Sequence, residues 1–222
     1  MKSLAILIVL AVTCVVPAQG QGGLGGTPPP RILGILPNYR TASEPEEYTS
    51  IAPKEKFKIA GEDAFDRGTF ILAGLFAGQQ QLTNSDPTYG HGPASVGRYY
   101  VASYADLVIG DYMTEGIFPT ILHQDPRYFP RNSGTAWSRA GAAVLQIVWT
   151  QTDSGRKRFN YSETVGNATA VAISNAYYPG NRNVRDGITK FGMQIGIDTA
   201  SNLLKEFSPE LTRLLSRKHH RP

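Results

Sequence analysis

Asn160-Tyr161-Ser162-Glu163-Thr164-Val165-Gly166-Asn167-Ala168-Thr169-Ala170-Val171-Ala172-Ile173-Ser174-Asn175-Ala176-Tyr177-Tyr178-Pro179 is the stretch whose reading decides the fold. Asn160 followed three residues later by Glu163 has the form of a capping box, which opens a helix. Pro179 closes it, because the residue before a proline is pushed out of the helical region. Inside those limits Gly166, Ala170 and Ser174 fall four apart and put a ladder of small residues on one face. Gly74 with Gly78, and Gly192 with Gly196, repeat the spacing. A helical glycine costs ~1 kcal/mol against alanine. The usual offset is close approach of two crossing helices, a tight bundle crossing in water or a small-residue seam in lipid.

The rest of the chain reads the same way. Pro53 suits a first helical turn, and Lys54 to Phe65 follows with Phe57, Ala60, Ala64 and Phe65 roughly on one face. A second helix is predicted over Thr69–Leu82, a loop over Asn84–Pro93, and a long helix over Ala94–Phe118 ending near Pro119. A short element covers Ile121–His123 before Asp125-Pro126 breaks the chain. Ala136–Thr150 is apolar enough for another helix, Asp153–Arg158 is a turn, and Val184–Phe207 is the last helix, closed by Ser208-Pro209. The expectation is an all-α fold, a compact bundle of five or six helices with tight Gly/Ala crossings, preceded by an extended Pro/Gly-rich segment. A β-barrel of the outer membrane would need strict alternation of strand residues, and that is missing. Lys190, Arg139, Asp106, Asp111 and Glu115 interrupt the helices, and no stretch reaches the ~20 apolar residues of a membrane span.

The N-terminus sets the compartment. Met1-Lys2-Ser3, the apolar run Leu4–Val16 and the small residues Pro17-Ala18-Gln19-Gly20 form the three parts of a signal peptide, residues 1–20. The single cysteine, Cys14, lies inside it, so the exported chain has neither disulfide nor thiolate chemistry. Residues 21–53 read as a Gly/Pro-rich linker holding a short apolar segment, 31–39. Residues 54–208 form the helical domain, and 209–222 a basic tail with Arg213, Arg217, Lys218 and Arg221. The net charge of +4 is too slight to imply nucleic acid. The tail is a solvated end, or a patch for a membrane surface or an anionic envelope component.

The densest polar set lies between Arg98 and Arg127. Asp111 and Glu115 share a helical face, and Glu115 precedes His123-Gln124-Asp125-Pro126-Arg127. Glu115, His123 and Asp125 are the candidate catalytic residues, His123 as a base steered by Asp125. No metal is expected; Asp111, Glu115, His123 and Asp125 are the residues that would hold a divalent ion. The bland alternative pairs Arg127 with Glu115 or Asp111. Arg127, Arg156, Lys157 and Arg158 are the candidate anion-binding residues. Ser154 has no nucleophile elbow around it. Tyr99, Tyr100, Tyr104, Tyr177 and Tyr178 suit core packing with a wet hydroxyl or a membrane-interface belt.

Four phrases occur together: Arg31-Ile32-Leu33-Gly34-Ile35-Leu36-Pro37-Asn38-Tyr39, Leu122-His123-Gln124-Asp125-Pro126-Arg127-Tyr128-Phe129, Thr152-Asp153-Ser154-Gly155-Arg156 and Ile173-Ser174-Asn175-Ala176-Tyr177-Tyr178-Pro179. Over about Arg31 to Phe207 the chain resembles a family of exported bacterial proteins that carry these phrases in this order. The resemblance implies that the segment before Pro37 belongs to the folded unit, and it brings no activity, substrate or cofactor. The expectation is an exported protein, periplasmic or associated with the outer envelope, acting as a binding or structural bundle. The alternatives are an envelope hydrolase or metal-dependent enzyme built on Glu115, His123 and Asp125, and an integral membrane protein with glycine-seamed helices.

Overall fold

The computed structural model describes residues 31–32, 36–42, 48–131, 133–178, 180 and 183–219. The signal segment 1–20, the Gly/Pro stretch up to residue 30 and the last three residues of the tail lie outside the described residues. The element order is β1 Arg31–Ile32, β2 Leu36–Pro37, α1 Pro53–Ala64, α2 Arg67–Thr83, a 3-10 turn Pro87–Tyr89, and α3 Pro93–Asp111. There follow a π turn Tyr112–Ile117, α4 Phe118–Ile121, α5 Ala136–Val148, β3 Trp149–Gln151, β4 Lys157–Phe159, α6 Tyr161–Tyr177 and α7 Val184–His219. The architecture is a compact helical bundle. α2 packs against α3, α1 and α6 enclose the π turn, and α5 and α6 both rest on α7.

Local chemistry explains the helix starts. The Asp66 side chain accepts from the Gly68 amide at 2.7 Å and opens α2. Thr135 accepts from Ser138 N to open α5. Asn160 Oδ1 accepts from Glu163 N at 3.1 Å and opens α6, as the capping-box reading requires. Only half of the box forms, since the Glu163 side chain turns inward to Arg40 and Asn167. Replacing Asn160 with alanine should cost ~1 kcal/mol, typical of a lost N-cap. A shift in the urea unfolding midpoint would report it.

The structure departs from the sequence reading in four places. The helix over 94–118 is not regular: α3 stops at Asp111 and the chain widens into the π turn before Pro119. Thr114 Oγ1 there donates to Gly110 O at 3.0 Å. Helix α5 ends at Val148, and Trp149–Phe159 forms a hairpin in the register Trp149↔Phe159, Thr150↔Arg158, Gln151↔Lys157. The β-branched and aromatic residues favour strand there, and Gly155 at φ 75° makes the tight reversal. Helix α7 runs through Pro209 instead of stopping. The proline nitrogen offers no hydrogen to Lys205 O, and Ser208 Oγ donates to that carbonyl instead at 3.0 Å. Finally, the folded unit reaches back well ahead of residue 54. Ile32 is 3% exposed, Ala42 N donates to Tyr128 O, Tyr128 N donates to Arg40 O, and Arg31 pairs with Asp66 at 2.6 Å.

The close crossing anticipated from the small-residue ladder is real at Gly166. A Cβ there would lie 3.1 Å from Met113 O and 3.0 Å from Thr114 Cγ2, so α6 meets the π turn at backbone distance. Gly78, Gly192 and Gly196 have open space instead. The interior is unusual in composition. Its apolar members are mostly alanine, among them Ala60, Ala64, Ala73, Ala77 and Ala143, while Lys56, Glu115, Asn167 and Glu206 are fully buried. Large apolar side chains such as Trp137, Leu145, Ile71 and Phe65 face outward. Among the described residues, no helix is long and apolar enough to cross a membrane.

Candidate functional site

A buried charge cluster forms where the N-terminal segment enters the bundle. Arg40, in the turn after β2, reaches between α6 and the π turn. Its Nη1 lies 3.3 Å from Glu115 Oε1, its Nη2 lies 3.3 Å from Glu163 Oε2, and its Nε donates to Pro126 O at 3.0 Å. Asn167, one turn after Glu163, donates to both Glu163 Oε1 and Asp198 Oδ2 at 3.1 Å. Asp63 from the end of α1, Asp111 from the end of α3 and Lys205 from α7 complete the electrostatic set. Five carboxyl groups therefore surround two cations.

So many carboxyl groups crowded about two cations do not all ionise. Burial pushes Glu115 well above the ordinary carboxyl range, and the nearby Asp63 charge adds to the push. Burial does the same to Asp111, again reinforced by Asp63. Asp198 is raised well above its usual value by burial and then by Glu163, to which it hydrogen-bonds. Asp63 is raised by burial against the pull of Lys205 and Arg40. Burial works against the Arg40 charge, but Glu115 and Glu163 outweigh it and hold the guanidinium protonated. Lys205 is lowered by burial and by the neighbouring Arg40 charge. Asp63 Oδ1 and Glu115 Oε2 find no donor while both groups are ionised. A proton on Glu115 would supply one, and such a bond from Glu115 favours the charged form of Asp63. Asn167 Oδ1 is a third buried acceptor without a partner.

The cluster is the back of an open groove of about 850 Å³ between α5 and α6, over α7. Arg40, Glu163, Asp198 and Asn202 line it from the cluster side, Leu145, Gln146 and Trp149 from α5 and β3, and Asp125, Arg127 and the exposed Arg131 and Lys157 complete its charged lining. Asn202 Nδ2 is turned away to Ala143 O, so it is the amide oxygen that remains for the groove. The cluster side is thus rich in acceptors and poor in free donors, since the Arg40 guanidinium is already engaged.

No family model, curated protein or solved structure matches this chain.

The candidate residues from the sequence part company here. Asp111 and Glu115 both belong to the cluster. His123 stands outside it on a left-handed residue at φ 53°, its side chain 83% exposed and its Nδ1 3.7 Å from Asp153. Asp125 and Arg127 line the same groove but lie outside the cluster, Asp125 accepting from Tyr48 Oη at 2.9 Å and from Arg127 at 2.7 Å. Arg127 therefore pairs with Asp125 rather than with Glu115 or Asp111, because Arg40 already occupies Glu115. Among the described residues, no group of three or more His, Cys, Asp and Glu side chains is arranged to hold a metal ion. Arg156, Lys157 and Arg158 lie exposed on the β3–β4 hairpin. Asp153 in the hairpin turn anchors the fully buried Lys56, whose Nζ also donates to Pro119 O and Gln124 O.

Sequence reasoning passed over Arg40, Asp63, Glu163, Asn167, Asp198 and Lys205. One signal was present. Glu163 and Asn167 stand on the same face as Gly166, Ala170 and Ser174, so the face picked out as a tight crossing was also carrying charge inward. Asp63 has the same relation to Ala60 and Ala64.

Proposed function

We propose that the chain is an exported cell-envelope protein that binds a small ligand rich in hydrogen-bond donors, such as an amine, in the groove between α5 and α6. The observation that supports this reading is the groove lining, where Glu163, the Asn202 amide oxygen and the Asp198 carboxyl, which a bound ammonium would strip of its proton, stand beside the apolar Leu145 and Trp149. Export rests on the N-terminal pattern of residues 1–20 and on the resemblance through the HQDPRYF, TDSGR and ISNAYYP phrases. A hydrolase built on Glu115, His123 and Asp125 has less support, since the three side chains point into different surroundings.

The test is thermal unfolding with putrescine and with glucosamine, against N-acetylglucosamine as a control without a free amine. A ligand at a hundred times its Kd stabilises by ~2.7 kcal/mol, which raises Tm by about 5–10 °C for a chain of this size. The amines should give that rise, and Asp198→Asn should remove most of it while keeping the groove's shape. No shift with either amine, or an equal shift in Asp198→Asn, overturns the assignment.

A further inference from the structure

Helix α5 carries large apolar side chains on its outward face, while only Ala143 and Ile147 join Arg139 in the core. Its inward face carries Arg139, whose Nε lies 2.8 Å from Glu206 and whose Nη1 pairs with Glu210, and Gln146, which exchanges hydrogen bonds with the Phe129 backbone. Its outward face carries Trp137 at 89% exposure, Val144, Leu145 at 57% and Val148, at the spacing of one helical stripe. Helix α6 repeats the arrangement, with Ser162, Glu163 and Asn167 inside and Tyr161, Val165 and Ile173 outside. Single exposed apolar residues need no explanation, but a stripe with a buried arginine behind it does.

The hairpin that joins the two helices indicates what covers the stripe. Trp149, Phe159 and Tyr161 stack edge to face in sequence, with ring centroids 6.4 and 5.0 Å apart. Beside them Arg156, Lys157 and Arg158 are exposed, and none forms an ion pair among the described residues. Aromatic rings next to free cations at the end of an apolar stripe are the composition of a membrane–water interface facing anionic headgroups. A second copy fits less well, because a two-fold contact through this region would set two three-cation hairpins against each other. We propose that the outer face of α5 together with the β3–β4 hairpin seats the protein on an anionic lipid bilayer.

Vesicle flotation tests this with the chain from Gln21 onward, which keeps every residue that makes a contact described above and removes the apolar run Leu4–Val16. Vesicles of phosphatidylcholine alone are compared with vesicles containing phosphatidylglycerol. Each basic residue near an anionic surface is worth ~1 kcal/mol, so the triple variant Arg156→Glu, Lys157→Glu, Arg158→Glu should weaken capture by the anionic vesicles on the order of 100-fold or more. Trp137→Ser should weaken capture by both kinds of vesicle. All four side chains are exposed, so the variants fold. Absence of capture by anionic vesicles, or capture unchanged in both variants, overturns the proposal. So does a dimer in light scattering that Trp137→Ser dissociates while the wild type ignores vesicles, which would assign the face to a second copy.

Discussion

Replacing Arg40 with methionine should destabilise the protein by about 3–5 kcal/mol, the range for removing one partner of a buried ion pair. Methionine fills much of the same volume, so the loss is electrostatic rather than a cavity. Without the guanidinium, Glu115 and Glu163 keep their burial and lose their shared cation, and Pro126 O loses its donor. Arg40→Lys should recover part of the loss and no more. One ammonium cannot address Glu115, Glu163 and the Pro126 carbonyl with the geometry of the planar fork. Urea unfolding followed by far-ultraviolet circular dichroism reads both effects. A domain with 5–15 kcal/mol in hand would be left marginal by the methionine variant. A loss below ~1 kcal/mol would mean that water, not protein, surrounds the guanidinium.

That a residue ahead of the helices should hold them together was only partly legible. The capping residue Asn160, the close crossing at Gly166 and the helical class of the chain followed from local rules that act over one turn: cap chemistry and small-residue spacing. Arg40 acts across the chain on Glu163 and Glu115, and nothing in Asn38-Tyr39-Arg40 announces that distance. Likewise, Glu115 was singled out for its proximity in sequence to His123. The π turn and the left-handed residue at His123 send the two side chains to different places. The hairpin was missed because Trp149 and Thr150 continue the apolar pattern of α5. Period alone does not separate a helix end from a strand start in so short a run.

The polar interior has a cause in the same sequence. Faces dominated by glycine, alanine and serine let backbones approach, and close backbones leave little room for leucine or phenylalanine between them. On α6, which makes that approach at Gly166, Val165 and Ile173 face outward. The inner volume goes to residues that gain from directional bonds, such as Arg139 to Glu206 and Tyr128 Oη to Glu206 Oε2 at 2.6 Å.

Raising the pH from 5 to 8 should lower the stability of this fold, opposite to what a protein held by exposed carboxylate salt bridges does. Glu115, Asp111 and Asp198 keep their protons in the folded state at pH values where the unfolded chain, with carboxyl pKa values of about 4, has released them. In that interval the folded state binds more protons than the unfolded state. Their stabilising effect is complete below the unfolded pKa and is lost as the pH climbs through the folded one. Each such group contributes a slope of ~1.4 kcal/mol per pH unit while the two states differ by one proton. Glu206 and Asp86 act in the other direction, because hydrogen bonds hold both below the ordinary range against the cost of burial. Their contribution is present above pH ~4 and disappears as the pH falls through their folded pKa, so it governs acid unfolding rather than the interval from 5 to 8. Lys205 is lowered by burial, so the charge forced on it costs stability below its folded pKa. That cost is relieved as the pH rises from the folded value to about 10.4, which tempers the loss wherever that interval overlaps pH 5 to 8. Glu115→Gln isolates one member of the set. The amide is neutral at every pH and still offers Asp63 Oδ1 a donor, so its stability at pH 5 should stay close to the wild type while the slope above it falls by up to ~1.4 kcal/mol per pH unit. Urea midpoints at pH 5, 6, 7 and 8 decide the matter. A wild-type profile that is flat or rises over that range would mean that the cluster is ionised in the fold, and that the unpartnered oxygens of Asp63 and Glu115 are met by water instead of by a shared proton.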